Sequence, residues 1–165
     1  MADTVDKLYE RDFYAWAQDQ AQALRRLAAE RGNGPLDLEH LAEAVEGLAT
    51  ERYASVASQM QRLIEHLLKL EHSPAPAPRR QWRVSVRSAR AEIGRRRSRT
   101  IDRLIEQELP ESYGDALEAA AAALADHGEI EAARGLPTTC PYDLEQLLDR
   151  SWPPANRHGL EDEPL

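Results

Sequence analysis

The chain has 165 residues, of which 42% are hydrophobic and 30% charged, values typical of a single folded domain. Its apolar stretches are too short to cross a bilayer, which takes about 18 residues, and its N-terminus lacks the basic and then apolar pattern of a signal peptide. Cys140 is the single cysteine, which excludes an internal disulfide framework. Alanine, leucine, glutamate and arginine are abundant and β-branched residues scarce, so we expect an all-α fold. Because the chain shows neither a membrane span nor a signal peptide, we expect a cytoplasmic protein without a membrane anchor.

The first predicted helix runs from about Lys7 to Arg31 and ends at the Gly-Asn-Gly-Pro segment 32–35. Tyr9, Phe13 and Trp16 recur at spacings of three and four residues, which is the period of one helix face. We therefore expect these aromatic rings to lie in the core.

The second predicted helix runs from about Leu38 to Glu71, with Asp37 as its N-cap. Its apolar positions form a stripe that is interrupted by a five-residue step from Leu48 to Tyr53. This step predicts a change of helix winding or of packing partner. The first run of the stripe is Leu38, Leu41, Val45 and Leu48.

A proline-rich connector at 73–78 cannot be helical and separates the second helix from a third, predicted from about Arg79 to Leu109. A fourth helix is predicted from about Glu111 to Arg134, with a break at Gly128. Asp143 and Gln146 have the spacing of a capping box and predict a short fifth helix. The fold prediction is a bundle of four long helices plus this short C-terminal helix, with the second and third helices as a central hairpin. A single domain is expected over 1–152, followed by a flexible or surface-lying tail at 153–165.

Positive charge is concentrated in the third predicted helix. The window from Arg79 to Arg103 contains ten arginines against two acids, a net charge of +8. The other 140 residues carry eleven Lys or Arg against 27 acids, a net charge of −16. A basic helix in an otherwise acidic chain indicates an acidic partner, which could be this chain's own helices, a second copy, another protein or a nucleic acid.

The leading interpretation is a non-catalytic protein-interaction module, a homodimer or a receptor for an acidic protein. The candidate partner-binding residues are Arg79, Arg80, Arg83, Arg87 and Arg90. The alternative is a nucleic-acid-binding protein that uses the arginine-rich helix 79–103, because the guanidinium fork suits phosphate. The low pI of about 5.2 counts against this alternative.

A metal-dependent bundle enzyme is a third interpretation, motivated by His40 and His66 on the same predicted helix. Di-iron bundles need Glu-x-x-His motifs, and the chain contains none. Cys140 has no neighbouring base that would generate a thiolate. We therefore expect no catalytic residue, no metal and no cofactor.

Five segments occur in an order that is similar to a known family. They are Tyr9–Trp16, Asp37–Glu46, His66–Lys69, Trp82–Arg87 and Cys140–Asp149. Together they resemble the bacterial "domain of unknown function 29" family over about Leu8 to Trp152. The chain departs from the family pattern after Lys69, where the proline-rich connector follows. The resemblance implies a mostly helical, bundle-like fold and brings no activity with it.

Overall fold

The computed structural model describes residues 2–31 and 34–161. In these ranges the chain forms seven helices and no strand, which confirms the all-α prediction. Four helices are long, α2 to α5, and a short helix near the C-terminus was also expected. No helix of the described part has the length and apolar character that a membrane span requires. The helices are α1 (Ala2–Arg11), α2 (Phe13–Arg31), α3 (Leu38–His72), α4 (Arg79–Arg96), α5 (Arg99–Asp126), α6 (Ile130–Arg134) and α7 (Leu144–Leu148).

Tertiary contacts divide the chain into two compact units. Unit 1 comprises the residues up to Val56 together with Arg96–Leu104, and unit 2 comprises Ala57–Arg95 and the chain from Ile105 onward. The expectation of a single domain over 1–152 stays a prediction.

The prediction of one continuous helix over Lys7 to Arg31 is wrong, because the helix is interrupted at Asp12 in unit 1. The Asp12 carboxylate accepts hydrogen bonds from the amide of Ala15 at 3.1 Å and from the Ser98 hydroxyl at 2.8 Å. The local bond caps α2, as aspartate does at helix N-termini. Tyr9, on α1, and Phe13, on α2, meet across the break, with their ring centroids 5.5 Å apart. The prediction that the aromatic rings lie in the core is wrong, because Tyr9 is 50% exposed and Phe13 and Trp16 are only partly buried.

The packing predicted for the first half of α3 is also wrong. Leu41 and Leu48 are exposed, whereas Ala42, Ala49 and Val56 are buried at a constant spacing of seven residues. The predicted change of helix winding is therefore wrong, because small side chains rather than leucines form the contacts of α3 in unit 1. The other predicted alternative, a change of packing partner, agrees with the passage of α3 from unit 1 to unit 2 after Val56. Unit 1 has a core of small residues, and its buried apolar side chains are Ala17, Ala21, Ala42, Ala49, Val56 and Ile101.

Unit 2 has a core of large aliphatic side chains. The second half of α3 contributes most of them, and α4, α5 and α7 contribute the others. The largest fully buried side chains in this unit are Met60, Leu63, Ile64, Leu67, Leu68, Leu70, Ile93, Ile105, Leu124 and Leu147.

The predicted boundary between the third and fourth helices is wrong. The break lies at Ser98, whose hydroxyl accepts a hydrogen bond from the Ile101 amide at 3.4 Å and so begins α5. Pro110, where we expected the break, lies inside the continuous helix α5. Proline removes the hydrogen bond to the carbonyl of Glu106, but both residues are exposed, so water can satisfy that carbonyl.

Three capping predictions are confirmed. The Asp37 carboxylate accepts a hydrogen bond from the amide of His40 at 3.2 Å, at the start of α3. Asp143 and Gln146 form both bonds of the capping box that begins α7. Gly128 has a φ of +79°, a conformation that glycine adopts at low cost, and it follows the end of α5.

The chain after α7 runs back to the C-terminus of α3 in unit 2. The Asn156 amide donates to the carbonyl oxygens of Leu70 at 2.8 Å and Ser73 at 3.0 Å. Arg157 donates from its backbone amide to the Glu71 carbonyl at 2.9 Å. The described part of the tail therefore satisfies the carbonyls that the end of a helix leaves without partners. The predicted tail beyond Glu161 lies outside the described residues.

Candidate functional site on the arginine-rich helix

Two of the five arginines predicted to bind a partner are buried. Arg79 is 4% exposed, and its Nη1 donates to the carbonyl of Leu70 at 2.8 Å in the last turn of α3. Arg90 is also 4% exposed, and it donates to the carbonyls of Leu147 and Trp152, both at 2.9 Å. Carbonyls at helix ends lack backbone partners, and a cation satisfies them well. Arg79 and Arg90 thus hold segments of unit 2 together and do not lie on its surface.

Other arginines of α4 occupy a separate, exposed side of the helix. Arg80 and Arg87 are exposed, and Arg83 is partly exposed at the edge of this side. Val84 lies at its centre and is 56% exposed. The only acid of α4, Glu92, is bonded to Arg95. We define the basic face as the exposed residues that lie on this side of α4 at helical spacing: Arg80, Val84, Arg87, Ser88 and Arg95.

α5 presents an exposed side of the opposite charge within the same unit. From Leu104 to its end the helix contains no lysine or arginine. We define the acidic face by Glu111, Asp115, Glu118, Ala119, Ala122 and Asp126, which are all exposed and lie on one side of the helix. Asp115 accepts a hydrogen bond from the Gln61 amide at 2.8 Å. The two alanines leave the helix surface open to close approach by another chain.

Beside the basic face, unit 2 contains a cavity of about 290 Å³. The residues that line it are Val86, Arg87, Arg90, Ala91 and Arg150. Gly94 leaves space for the last of these side chains, because a Cβ at this position would lie 3.2 Å from Nη2 of Arg150. Three arginines therefore line one cavity without an acidic residue among the lining residues.

The metal-enzyme interpretation was based on His40 and His66, which have different surroundings and belong to different units. His66 lines a second cavity of unit 2, of about 300 Å³, and its burial and the charge of Lys69 lower its pKa to about 4. His40 is exposed in unit 1, where its Nδ1 is 2.6 Å from an Asp37 carboxylate oxygen. Among the described residues, no three His, Cys, Asp or Glu side chains are grouped so that they could hold a metal ion.

Cys140 is partly buried, and its thiol donates to the carbonyl of Tyr142 at 3.3 Å. Burial raises the pKa of this thiol, which favours the unreactive protonated form at neutral pH. The environment of Cys140 thus supports a packing role in the loop before α7.

Sequence reasoning missed two parts of this region. Arg150 lies outside the arginine-rich window, and no local pattern connects it with α4. The acidic face had a signal, because Glu111, Asp115 and Glu118 follow the four- and three-residue spacing of one helix side.

Comparison with known proteins gives a family and a fold. The model of the family described as "Domain of unknown function DUF29" matches residues 8–153. A solved structure from Rhodospirillum rubrum, described as an alpha-helical protein of unknown function, is similar with a TM-score of 0.75 and 27% sequence identity. The similarity covers 86% of this chain and 89% of that one. A search among curated proteins found no significant match. The chain therefore belongs to the DUF29 family, as its sequence motifs indicated.

Proposed function

We propose that this protein is a non-catalytic interaction module that forms a homodimer. In this dimer the basic face of α4 in one copy contacts the acidic face of α5 in the second copy. The observation that carries the proposal is the presence of two exposed helix faces of opposite charge on unit 2. The absence of catalysis and a cytoplasmic location are parts of the proposal that rest on the sequence alone.

The two faces match in length and in chemistry. Arg80 to Arg95 and Glu111 to Asp126 are each fifteen residues apart, which corresponds to about 22 Å along a helix. Val84 would contact the exposed alanines of the acidic face, so the contact would combine apolar packing with charged pairs. Protein interfaces commonly contain both kinds of contact.

A second copy is the occupant that these faces favour, because every copy carries both of them. A two-fold dimer would form the same contact twice, which is the commonest symmetry of soluble oligomers. Exposed ion pairs contribute only roughly 0–1 kcal/mol each, and salt weakens them. We therefore expect a reversible dimer that dissociates as the ionic strength rises.

The nucleic-acid alternative has less support than the sequence suggested. Because Arg79 and Arg90 are buried, a polyanion would find Arg80, Arg83 and Arg87 but not all five predicted residues. The acidic face on the same unit would also repel a nucleic acid at long range.

Charge reversal tests the proposal in both directions. We would measure the molar mass of Arg80→Glu/Arg95→Glu and of Glu111→Arg/Glu118→Arg by gel filtration with light scattering at low salt. Each variant alone places like charges opposite one another and should bind itself at least tenfold more weakly than the wild type. An equimolar mixture restores opposite charges at both contacts and should form a heterodimer.

The matched control is Arg99→Glu/Arg103→Glu, which reverses two exposed arginines outside the basic face and should leave the mass unchanged. A monomeric wild type at low salt would rule the dimer out, and so would a mixture that stays monomeric while both variants are folded. Excess absorbance at 260 nm in protein that was purified without nuclease, removable by salt, would favour the nucleic-acid alternative instead.

A further inference from the structure

The cavity beside α4 collects positive charge that the described residues do not neutralise. Arg87, Arg90 and Arg150 all line it, and none of them forms an ion pair with a described residue. The Asp149 carboxylate acts on Arg90 through its charge, but it accepts hydrogen bonds from the amide and hydroxyl of Ser151 and does not line the cavity. Three like charges around one cavity repel one another, and a bound anion would relieve this repulsion.

Arg90 gives the cavity a rigid wall. Its Nε donates to the Leu147 carbonyl, and its Nη2 donates to the carbonyls of Gln146 and Trp152. Its Nη1 is buried and has no hydrogen-bond partner among the described residues. A buried donor without a partner is unfavourable, so a ligand that reached this donor from the cavity would gain affinity.

Arg87 and Arg150 are exposed, and they approach the cavity from α4 and from the segment after α7. Gly94 is the residue of α4 against which the Arg150 guanidinium lies, and a Cβ there would crowd it. The sequence thus provides one fixed and two adjustable guanidinium groups. Arginine suits phosphate because its planar fork donates two parallel hydrogen bonds.

We propose that this cavity binds the phosphate group of a small phosphomonoester, with Arg87, Arg90 and Arg150 as its ligands. A volume of about 290 Å³ admits a phosphate and a few further heavy atoms, and it is smaller than most sites for larger ligands. Val86 and Ala91 supply apolar contacts for the organic part of the molecule. The cavity shares Arg87 with the basic face of the proposed dimer, but Arg90 and Arg150 lie outside that face, so phosphate binding and dimerisation can be tested by separate measurements.

Isothermal titration calorimetry at low salt tests the proposal, with inorganic phosphate and phenyl phosphate as probes. The wild type should bind one phenyl phosphate per chain saturably, and more tightly than inorganic phosphate. Arg150→Gln removes a charge-assisted hydrogen bond and should weaken the binding about tenfold. Arg103→Gln, an exposed arginine outside the cavity, should bind like the wild type. Circular dichroism establishes that the variants are folded, and Arg87→Gln provides a second cavity variant.

Two results would overturn the proposal. One is the absence of saturable binding of either phosphate probe to the wild type. The other is equal affinity in Arg150→Gln, Arg87→Gln and Arg103→Gln, since this would place the phosphate outside the cavity. A single-stranded oligonucleotide that binds while both small probes fail would also overturn it, in favour of a polyanion surface. The oligomeric state from light scattering is a separate readout, so failure here leaves the dimer proposal standing.

Discussion

Each unit contains a buried charged side chain that binds groups far away in the sequence, but the two side chains have opposite roles. In unit 1, Asp12 accepts hydrogen bonds from the Ser98 hydroxyl at 2.8 Å and the Thr100 amide at 2.9 Å, and these donors begin a helix. In unit 2, Arg90 donates to carbonyls at the end of α7, among them that of Leu147. An acid thus satisfies a helix N-terminus and a base satisfies a C-terminus, each matching the sign of the helix dipole.

The cores of the two units differ in how much apolar area they bury, and this difference changes how much Asp12 and Arg90 contribute to the stability of their units. Unit 2 buries large aliphatic side chains such as Leu63 and Leu67, and each contributes roughly 1.5–3 kcal/mol through burial. Unit 1 buries mainly alanines such as Ala42 and Ala49, which remove little apolar area from water. We infer that the hydrogen bonds of Asp12 contribute a larger share of the stability of unit 1 than those of Arg90 contribute to unit 2.

The largest expected effect is that of Arg90→Met. Methionine keeps the apolar volume but leaves the carbonyls of Leu147 and Trp152 without this donor, whereas the carbonyl of Gln146 keeps the Asp149 amide at 3.3 Å. We expect the free energy of unfolding to fall by about 3 kcal/mol, because buried unsatisfied groups are costly. Urea denaturation followed by circular dichroism measures this change, and hydrogen exchange should localise the loss of protection to α7 and the segment after it.

Arg103→Met is the matched control for Arg90→Met, because it removes an exposed arginine and should change the stability by less than about 0.5 kcal/mol. Equal effects of the two substitutions would contradict the structural role of Arg90. In that case Arg90 would again be a candidate for binding a partner.

A smaller effect is expected from Asp12→Asn, about 1–2 kcal/mol at pH 7. Burial raises the pKa of Asp12, but hydrogen bonds from Ser98, Ala15 and Thr100 outweigh it and hold the pKa below its usual value of 3.8. A carboxylate with a depressed pKa stabilises the folded state above the pKa of the unfolded chain, and this contribution is lost as the pH falls through the folded pKa. The difference between wild type and variant should therefore shrink below about pH 4.

Urea denaturation from pH 7 to pH 3 measures this dependence for both proteins. Ser98→Ala is the companion variant, since it removes one donor and keeps the carboxylate, so it should raise the pKa of Asp12 towards 3.8. A wild type and an Asp12→Asn variant that lose stability in parallel would show that other groups dominate the acid sensitivity.

Local signals predicted much of the helical architecture, and contacts that are distant in sequence account for the errors. The caps at Asp37 and Asp143 and the break at Gly128 depend on neighbouring residues, so the sequence was sufficient for them. The break at Ser98 depends in addition on Asp12, 86 residues earlier. Pro110 gave a strong local signal that was wrong, because the carbonyl it leaves without a donor lies at an exposed position.

The candidate site was predicted only in part, for the same reason. Composition correctly indicated that α4 is basic, and helix period could have separated Arg79 and Arg90 from the exposed arginines. The side was indicated as well, because Val86, Ala89 and Ile93 recur at helical spacing on the side of Arg79 and Arg90 and are buried. Arg150 joins the cavity through the path of the chain after α7, and no local pattern encodes that path.

The smallest expected effect is the pH dependence of two histidines on α3. His40 is exposed in unit 1, and His66 lines a cavity of unit 2. Burial and the charge of Lys69 lower the pKa of His66 to about 4, whereas the hydrogen bond with Asp37 raises the pKa of His40 above 6.5. His66 should therefore stay neutral in the folded protein as the pH falls below 6.5, while the unfolded chain takes up a proton, so unit 2 is destabilised between pH 6.5 and about 4. NMR titration of the imidazole Cε1 protons measures both values directly. Asp37→Asn should lower the pKa of His40 towards 6.5 and leave that of His66 unchanged. A His66 that titrates near 6.5 would instead mean that its cavity in unit 2 admits water freely.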